Sequence, residues 1–281
     1  MKTFFLLFFL MSVGMTQQAC SSSDSHEPEM PETPSDETIF DDFQTFDATK
    51  WTKESHPAGW VNQELQIYDA DHVSVGRDGD KTVLVITAER KGGKIYSGRV
   101  NSQGKKAFRH GRIEASIRLP KTTGGLWPAF WMMGNNDKPW PQCGEIDILE
   151  MGEKSGMSQG TPERTVNTAI HYGTNANDGH LQEYHIGQVA RSLQDDQYHT
   201  YTLDWDDESL VISIDGVRFH RFDISQKSGR HAYFHDHFYL LFNLAVGGSF
   251  TGITDISRLT ALKEGEKVRM YVDWVKYQPL S

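Results

Sequence analysis

Three carboxylates lie within six residues of an otherwise apolar segment, residues 144–150 (GEIDILE). In a regular β-strand successive side chains point to opposite faces, so Glu145 and Asp147 share one face and Glu150 falls on the other. A β-bulge near Ile148-Leu149 would return Glu150 to the face of the other two acids, and bulges are frequent beside active sites. We therefore expect a bulged strand that presents all three acids together.

Acids that share one face of a sheet repel each other's charge. One of them then ionises at the expense of another, and their pKa values move apart. Retaining glycoside hydrolysis needs that division, because one carboxylate acts as the nucleophile and a second, protonated carboxyl group acts as the acid. The same residue types also suit a solvated strand face or a cation site, and the segment alone leaves these alternatives open.

The elements that must position these acids are short alternating segments separated by Gly, Asp, Asn and Pro. Residues 112–119 place apolar and polar side chains on opposite faces, and the Asp215-Gly216 pair predicts a type I′ hairpin between residues 210–214 and 217–219. No convincing helical period or internal repeat is present. We predict an all-β antiparallel β-sandwich, a jelly roll with a concave substrate cleft. Further predicted strands cover Val83–Ala88, Tyr239–Val246 and Val268–Tyr277.

The N-terminal residues have the features of a secretory signal peptide. Lys2 precedes an apolar run from Phe4 to Met11 that is too short to cross a bilayer as a helix. Cys20 stands where a bacterial lipoprotein signal has its lipidated cysteine, although Gln17 occupies a position that is usually aliphatic. We expect removal of residues 1–19 and lipidation of Cys20, with ordinary cleavage of a soluble secreted enzyme as the alternative.

An acidic segment follows Cys20. Residues 21–37 contain six acidic residues, three prolines and no Lys or Arg. Such a segment cannot repay its ordering entropy, so residues 20–38 are expected to be the lipidated cysteine and a disordered tether. Residues 39–281 then form one catalytic domain.

Net charge limits the partners of that domain. The chain carries −10, and removing the charges of the acidic segment and of Lys2 leaves −5 for the rest. A mildly acidic domain gains nothing from a polyanion. Nucleic acid and strongly sulfated polymers are therefore disfavoured as partners.

Segment 144–150 and several others resemble glycoside hydrolase family 16, in particular its bacterial laminarinases and mixed-linkage glucanases. The family signature E-I-D-x-x-E is present without a departure at the acids. Residues 249–252 (SFTG) depart from the Asn/Asp-Trp-Pro-Gly that is common in laminarinases. The other matches follow the family order and together cover about residues 40–277: Trp60–Gln66 (WVNQELQ), Tyr96–Arg99 (YSGR), Gly111–Ala115 (GRIEA), Gly125–Met132 (GLWPAFWM), Phe238–Gly248 (FYLLFNLAVGG) and Met270–Trp274 (MYVDW).

The resemblance assigns different roles to the three acids. It implies that Glu145 is the nucleophile, that Asp147 orients it, and that Glu150 is the general acid and later the base. The implied enzyme is a retaining endo-β-glucanase that needs no cofactor and acts on β-1,3-glucan, mixed-linkage β-1,3/1,4-glucan or both. Its two carboxyl groups should lie about 5 to 5.5 Å apart.

Sugar rings present apolar C–H faces, so a glucan cleft favours aromatic platforms. Trp127 and Trp131 are four residues apart and therefore lie on one face of a strand, although most Trp side chains are largely buried in protein cores. The resemblance further implies substrate contacts for Asn62, Arg99, Asn243 and His171. Structural roles in strand-edge hydrogen bonding, or as a satisfied histidine, are the alternatives for these four residues.

Two groups of residues raise the question of a metal. His231, His235, Asp236 and His237 have plausible zinc spacing, but we predict a polar loop before the strand at Phe238 and assign no metal ligand. Relatives in the family often hold a structural calcium near the position of Asp273. The sequence leaves that calcium open.

Two rival functions remain. A non-catalytic sugar-binding lipoprotein could use the same sandwich, because fold does not determine function. An endo-hydrolase of a galactan such as agarose or porphyran would use the same acids. We predict a glucanase that acts as a monomer, touches a membrane only through its lipid anchor, and is held at the bacterial outer membrane, exposed at the cell surface.

Overall fold

The structure, a computed structural model, describes residues 38–280. The predicted signal peptide, Cys20 and residues 21–37 lie outside the described residues. The first strand begins at Thr38, next to the predicted start of the domain.

The alternating segments form two sheets. The larger sheet has ten strands: β1 (Thr38–Asp41), β3 (Gln66–Tyr68), β4 (Val73–Asp78), β5 (Lys81–Lys91), β6 (Lys94–Ser97), β8 (Gly111–Arg118), β13 (His199–Trp205), β14 (Ser209–Ile214), β15 (Val217–Asp223) and β17 (Lys267–Gln278). The smaller sheet has seven strands: β2 (Thr52–Lys53), β7 (Arg99–Asn101), β9 (Leu126–Gly134), β10 (Glu145–Met151), β11 (Thr165–Gly173), β12 (His180–Gln188) and β16 (Phe238–Val246).

The strand order of the larger sheet is β15-β14-β13-β8-β17-β5-β6-β3, with β1 paired to β17 and β4 paired to β5. The smaller sheet has the order β12-β11-β10-β9-β16-β7-β2. The pairings given within these sheets are antiparallel except for β3 with β6. This topology confirms the predicted antiparallel β-sandwich of the jelly-roll type.

The core lies between the sheets because strand alternation sends one apolar row of each strand inward. Ile113, Ala115 and Ile117 of β8 are fully buried, as their spacing predicts. In the smaller sheet, Phe130 of β9 stacks on Phe242 of β16 with ring centroids 4.7 Å apart. These inward rows fix which residues of the smaller sheet point to its other side.

The opposite side of the smaller sheet carries its own residues, and we call it the outer face. Ala129, Trp131, Tyr239 and Leu241 form an apolar cluster there that is separate from the main core. The register pairs Trp131 with Leu241 and Ala129 with Asn243. The outer face is therefore a mixed surface in which aromatic and amide side chains alternate across neighbouring strands.

Turns and helices complete the fold. Asp215 and Gly216 adopt positive φ angles of 49° and 76° between β14 and β15, which confirms the predicted hairpin. One short helix, α1 (Lys154–Ser158), follows the strand that carries the acids. Among the described residues, no helix is long and apolar enough to cross a membrane. Within residues 38–280, short 3₁₀ helices cover Ala70–His72, Gly229–His235 and Ile256–Arg258.

Candidate active site

The strand β10 contains the predicted bulge. Asp147 pairs with Trp131 on β9, but the next pair on that side is Leu149 with Phe130, so one residue of β10 is extra. After the bulge, Glu150 pairs with Ala129 of β9 and with Asn167 of β11. Because directly opposed residues point to the same side of a sheet, the bulge returns Glu150 to the outer face with Asp147.

Glu145 begins β10 and accepts one hydrogen bond. The indole N–H of Trp140 donates to its Oε2 at 3.1 Å. Its other oxygen lies 3.7 Å from Nε2 of His171, the residue opposite it on β11. A neutral donor and an imidazole therefore contact the two oxygens of this carboxylate.

Asp147 lies between the two glutamates and contacts the same histidine. Nε2 of His171 is 3.2 Å from Oδ2 of Asp147, and Nδ1 of His171 is 2.9 Å from Nε2 of His180. The rings of His171 and His180 also stack, with centroids 5.1 Å apart. Asp147 and His180 together fix the orientation of the His171 ring between the acids.

Glu150 accepts hydrogen bonds on both oxygens. The indole N–H of Trp127 donates to Oε1 at 2.9 Å, and the amide of Asn167 donates to Oε2 at 2.5 Å. Both donors are neutral, and each comes from a strand adjacent to β10. Glu150 is buried, so these two groups define its position.

The surroundings change the pKa values of these groups in different ways. Burial, followed by the charge of Asp147, raises the pKa of Glu145 to about 7, although His171, Arg99 and the Trp140 hydrogen bond oppose the rise. Burial and then Asp147 also raise the pKa of Glu150 well above its ordinary value. Burial lowers the pKa of His171, but the hydrogen bond to Asp147 and the nearby glutamates outweigh it and bring that pKa to about 9.

These pKa shifts divide the protons within the site. Arg99 favours the ionised form of Glu145, whereas burial and Asp147 favour the protonated form of Glu150, and His171 is positively charged near neutral pH. The sequence predicted that neighbouring like charges would raise the pKa of Glu150. The structure gives burial as the larger cause and Asp147 as the second.

Arg99 lies on the outer face beside Trp131. Its guanidinium carbon is 4.7 Å from the centroid of the Trp131 ring and 5.3 Å from that of Trp60. Its Nε donates to Oε1 of Glu54 at 3.0 Å, and Asn101 donates to the same oxygen. Arg99 is therefore held close to two indoles by a largely buried carboxylate.

A chain of hydrogen bonds links Trp131 to the segment that contains Asn62. The indole N–H of Trp131 donates to Asn243 at 2.7 Å, and the Asn243 amide donates to the hydroxyl of Tyr68 at 3.2 Å. Tyr68 and Asn62 both donate to the carboxylate of Glu64, each at 3.1 Å. Asn62 itself is exposed at the end of this chain.

The departure at residues 249–252 also reaches the outer face. Phe250 stacks on Trp127 with ring centroids 4.4 Å apart and planes 14° apart. Trp127 and Trp131 each retain only 9% of their surface exposed. Both indoles thus face the acids, and each is held by its N–H as well as by its ring.

The profile of "Glycosyl hydrolases family 16" matches residues 62–276. This protein belongs to glycosyl hydrolase family 16. It is 67% identical to the Bacteroides ovatus mixed-linkage glucan PUL GH16 protein in complex with a G4G4G3G product, with 85% of this chain and 98% of that chain covered and a TM-score of 0.82.

More distant relatives of this family 16 chain include two curated proteins. It is 30% identical over 243 residues to the beta-glucanase of Rhodothermus marinus, covering 82% of this chain and 79% of that protein. It is 29% identical to the clotting factor G alpha subunit of Tachypleus tridentatus, covering 97% of this chain. The chain spans only 37% of the length of that second relative.

The structure brings the predicted site residues of this family 16 chain to one face. The three acids of β10 lie beside Trp127, Trp131 and His171. Asn243 joins this group because it accepts the indole N–H of Trp131. Arg99 is within the same group through its contact with Trp131. Asn62 is joined to it only through Glu64.

Sequence reasoning missed several residues that touch the site. Asn167 could have been found, because it lies four residues before His171 and thus on the same face of a strand. Trp140 and His180 carry no periodic signal: the first lies in a loop and the second begins an edge strand. Glu54 also accepts a hydrogen bond from Arg99 without any sequence signal for that contact.

Strand β12 extends the outer face beyond the acids. Its register places Gln182 opposite His171, Tyr184 opposite Ala169 and Ile186 opposite Asn167. Tyr184 is 60% exposed, so its ring is free to meet a bound sugar on the same face as Asp147. Tyr184 is not among the site residues predicted from the sequence.

The structure shows the surroundings of both groups of residues that were considered as metal ligands, the histidines of residues 231–237 and Asp273. Residues 229–235 form a 3₁₀ helix where a loop was predicted, and His231 points away to contact Glu183 at 2.9 Å. The carboxylate of Asp273 is 2.6 Å from the ammonium group of Lys81. A lysine thus neutralises the position considered for calcium, and within residues 38–280 Asp273 joins no cluster of metal-ligand side chains.

Proposed function

We propose that this family 16 protein is a retaining endo-β-glucanase whose main substrate is mixed-linkage β-1,3/1,4-glucan, with β-1,3-glucan as a second substrate. The observation that carries the proposal is the bulged strand, which presents Glu145 and Glu150 on one face with different hydrogen-bond partners. Two carboxyl groups with separated pKa values are what the double-displacement mechanism requires.

In the first step, ionised Glu145 attacks the anomeric carbon while Glu150 donates its proton to the departing glycosidic oxygen. The C–O bond to the leaving chain breaks as the bond to Glu145 forms. Glu150, now ionised, removes a proton from water, which attacks the same carbon and releases Glu145. Trp127 and Asn167 support this step, because their N–H donors stabilise the ionised form of Glu150.

The choice of glucan rests on the relative from Bacteroides ovatus and on the polarity of the outer face. That protein was solved with a G4G4G3G product and shares two thirds of its residues with this chain in the aligned region. The exposed rings of Trp60 and Tyr184 and the neutral amides of Asn62 and Asn243 suit an uncharged polymer of glucose.

The test is digestion of barley β-glucan, lichenan, laminarin and agarose with purified enzyme, followed by sizing of the products. We expect the highest kcat/KM on the two mixed-linkage glucans, lower activity on laminarin and none on agarose. Early products should be oligosaccharides of several sugars, as internal cleavage requires. Release of galactose oligomers from agarose, or no cleavage of any glucan, would overturn the proposal.

We also propose that Cys20 is lipidated and holds the enzyme, as a monomer, at the outer surface of the bacterial cell. The leader that precedes Cys20 and the acidic segment after it support this, and acyl chains contribute about 0.8 kcal/mol for each buried CH₂ group. Cells that express the full chain should label it with a palmitate analogue, and Cys20→Ala should abolish the label. Unlabelled enzyme in the medium would contradict anchoring.

A further inference from the structure

A second group of histidine and carboxylate side chains lies outside the active site. His110 immediately precedes β8, Asp207 lies in the turn between β13 and β14, and His235 ends the 3₁₀ helix Gly229–His235. Nε2 of His110 is 3.4 Å from Oδ1 of Asp207, and Nδ1 of His235 is 3.8 Å from the same oxygen. The three potential ligand atoms all lie within 4.8 Å of one another.

The two imidazole nitrogens that face Asp207 have unmet bonding capacity. Nε2 of His110 and Nδ1 of His235 are buried and make no hydrogen bond with any described residue. Buried polar atoms in folded proteins are almost always satisfied, so two such atoms around one carboxylate oxygen need an explanation. A bound cation that accepts one lone pair from each imidazole would satisfy both nitrogens.

The second nitrogen of His235 indicates which tautomer is present. Its Nε2 lies 2.9 Å from the backbone carbonyl oxygen of Ile224. A carbonyl oxygen can only accept, so Nε2 carries the hydrogen, and in the neutral ring Nδ1 is left with a lone pair. Histidines that bind metals commonly donate their other N–H to a backbone carbonyl in this way.

The spacing of the ligand atoms fits a small divalent ion. Zinc binds imidazole nitrogen and carboxylate oxygen at about 2.0–2.2 Å, so tetrahedral geometry separates neighbouring ligand atoms by about 3.3–3.5 Å. The distance of 3.4 Å from Nε2 of His110 to Oδ1 of Asp207 already has this value. Nδ1 of His235 lies 3.8 Å from the same oxygen, so only a small movement of that ring is needed. Two imidazoles and one carboxylate are also a donor set that zinc accepts.

We propose that His110, Asp207 and His235 bind one divalent transition-metal ion, with zinc as the expected ion and water in the remaining position. Asp207 binds through Oδ1 alone, because its Oδ2 lies 2.6 Å from the exposed ammonium group of Lys227. Of the four residues considered for zinc from the sequence, only His235 belongs to this site. The other ligands come from distant parts of the chain, which spacing alone does not reveal.

The ion would join three segments that are separate in sequence. Trp205 at the end of β13 donates its indole N–H to the backbone oxygen of Phe234, and the ring of His110 packs edge-on against Trp205. A metal between His110, Asp207 and His235 would fasten the same three segments at the surface. Its role is therefore structural, and its loss should lower thermal stability without changing the active-site residues.

The experiment uses the purified protein without a polyhistidine tag, after removal of metal with a chelator. Calorimetric titration with zinc should give one equivalent bound, and free zinc at a hundredfold excess over Kd should raise Tm by about 5 °C or more. Asp207→Asn and His235→Ala should each weaken zinc binding by about tenfold or more. His237→Ala, which removes an exposed neighbouring imidazole, should leave both values unchanged.

A second set of variants separates this site from the active site, where Glu145, Asp147 and His171 also lie within ligand distance of one another. His171→Gln should still bind one zinc ion with unchanged Kd if the proposal is correct. Tetrahedral cobalt absorption should disappear in Asp207→Asn, a variant that keeps the size of the side chain and should fold. Zinc binding that is lost in His171→Gln but kept in Asp207→Asn, or an absence of binding to the wild type, would overturn the proposal.

Discussion

The two ends of β10 hold glutamates that are buried to a similar degree but have different neighbours. Glu145 accepts the indole N–H of Trp140 and lies near the positive charges of His171 and Arg99. Glu150 accepts two neutral donors, Trp127 and Asn167. Burial raises the pKa of both residues; His171, Arg99 and the Trp140 hydrogen bond oppose the rise at Glu145, whereas His171 and the Asn167 hydrogen bond oppose it at Glu150.

Two glutamates of one strand can thus differ in protonation because their neighbours differ. Burial alone would keep both acids protonated and would leave no nucleophile. His171 favours the ionised form of both glutamates, and Arg99 adds to this effect at Glu145, while burial and Asp147 favour the protonated form of Glu150. The division of roles thus depends on Arg99 of β7 as well as on Asp147 of β10.

The largest effect should come from removing the nucleophile. Glu145→Ala leaves no group to form the glycosyl-enzyme, so kcat/KM on barley β-glucan should fall by about four orders of magnitude or more. Added azide or formate should restore turnover by attacking from the vacated space. NMR should then show a product of inverted configuration, and a retained product would contradict the role of Glu145.

Removing the acid should have a smaller effect that depends on the leaving group. Glu150→Ala should lower activity on glucan by about 10²- to 10⁴-fold, because the leaving oxygen is no longer protonated. Aryl glycosides with activated leaving groups need no proton, so their first step should survive while the covalent intermediate accumulates. Stopped-flow kinetics with a nitrophenyl glycoside would show this as a burst. An equal loss on both substrates would count against the assignment.

Asp147→Asn should reduce activity less than either glutamate variant and should change the pH profile. The charge of Asp147 raises the pKa of both glutamates, so its removal should move both limbs of the kcat/KM profile to lower pH. In the wild type, the low-pH limb should fall near the Glu145 pKa of about 7. Initial rates measured from about pH 4 to about pH 10 would show whether both limbs move. Unmoved limbs would mean that Asp147 only orients its neighbours.

The smallest effect should come from the donor to Glu150. Trp127→Phe keeps a ring against Phe250 but removes the N–H that supports the ionised base, so deglycosylation should slow by about 5- to 10-fold. Trp131→Phe is the matched control, since it removes an N–H that goes to Asn243 instead. That variant should raise KM for glucan and leave deglycosylation unchanged. If both variants slowed deglycosylation equally, the hydrogen bond from Trp127 to Glu150 would have no specific role in that step.

Much of the fold follows from local signals in the sequence. The alternation in residues 112–119 identifies the buried row of β8, and Asp215-Gly216 identifies a hairpin because only certain residues accept positive φ. The bulge in β10 also follows from the sequence, because three acids at this spacing can share one face only with an extra residue between them.

The parts of the site that could not be predicted depend on which strands lie side by side. Trp140 reaches Glu145 from a loop, and Phe250 reaches Trp127 from another, and neither segment has a period that reveals its direction. His110 and Asp207 are far apart in sequence and meet only because β8 pairs with β13. Such contacts arise from tertiary register, which spacing along one segment does not contain.

Trapping the covalent intermediate would directly distinguish the roles of Glu145 and Glu150. A glucan oligosaccharide with fluorine at C2 and a dinitrophenyl leaving group should label the wild-type enzyme, because the fluorine slows both steps and the activated leaving group accelerates only the first. Digestion and mass spectrometry should then find the sugar on a peptide containing residues 144–150, with fragment ions that place it on Glu145. A label on Glu150, or no label together with inverted products, would contradict the division of roles described for β10.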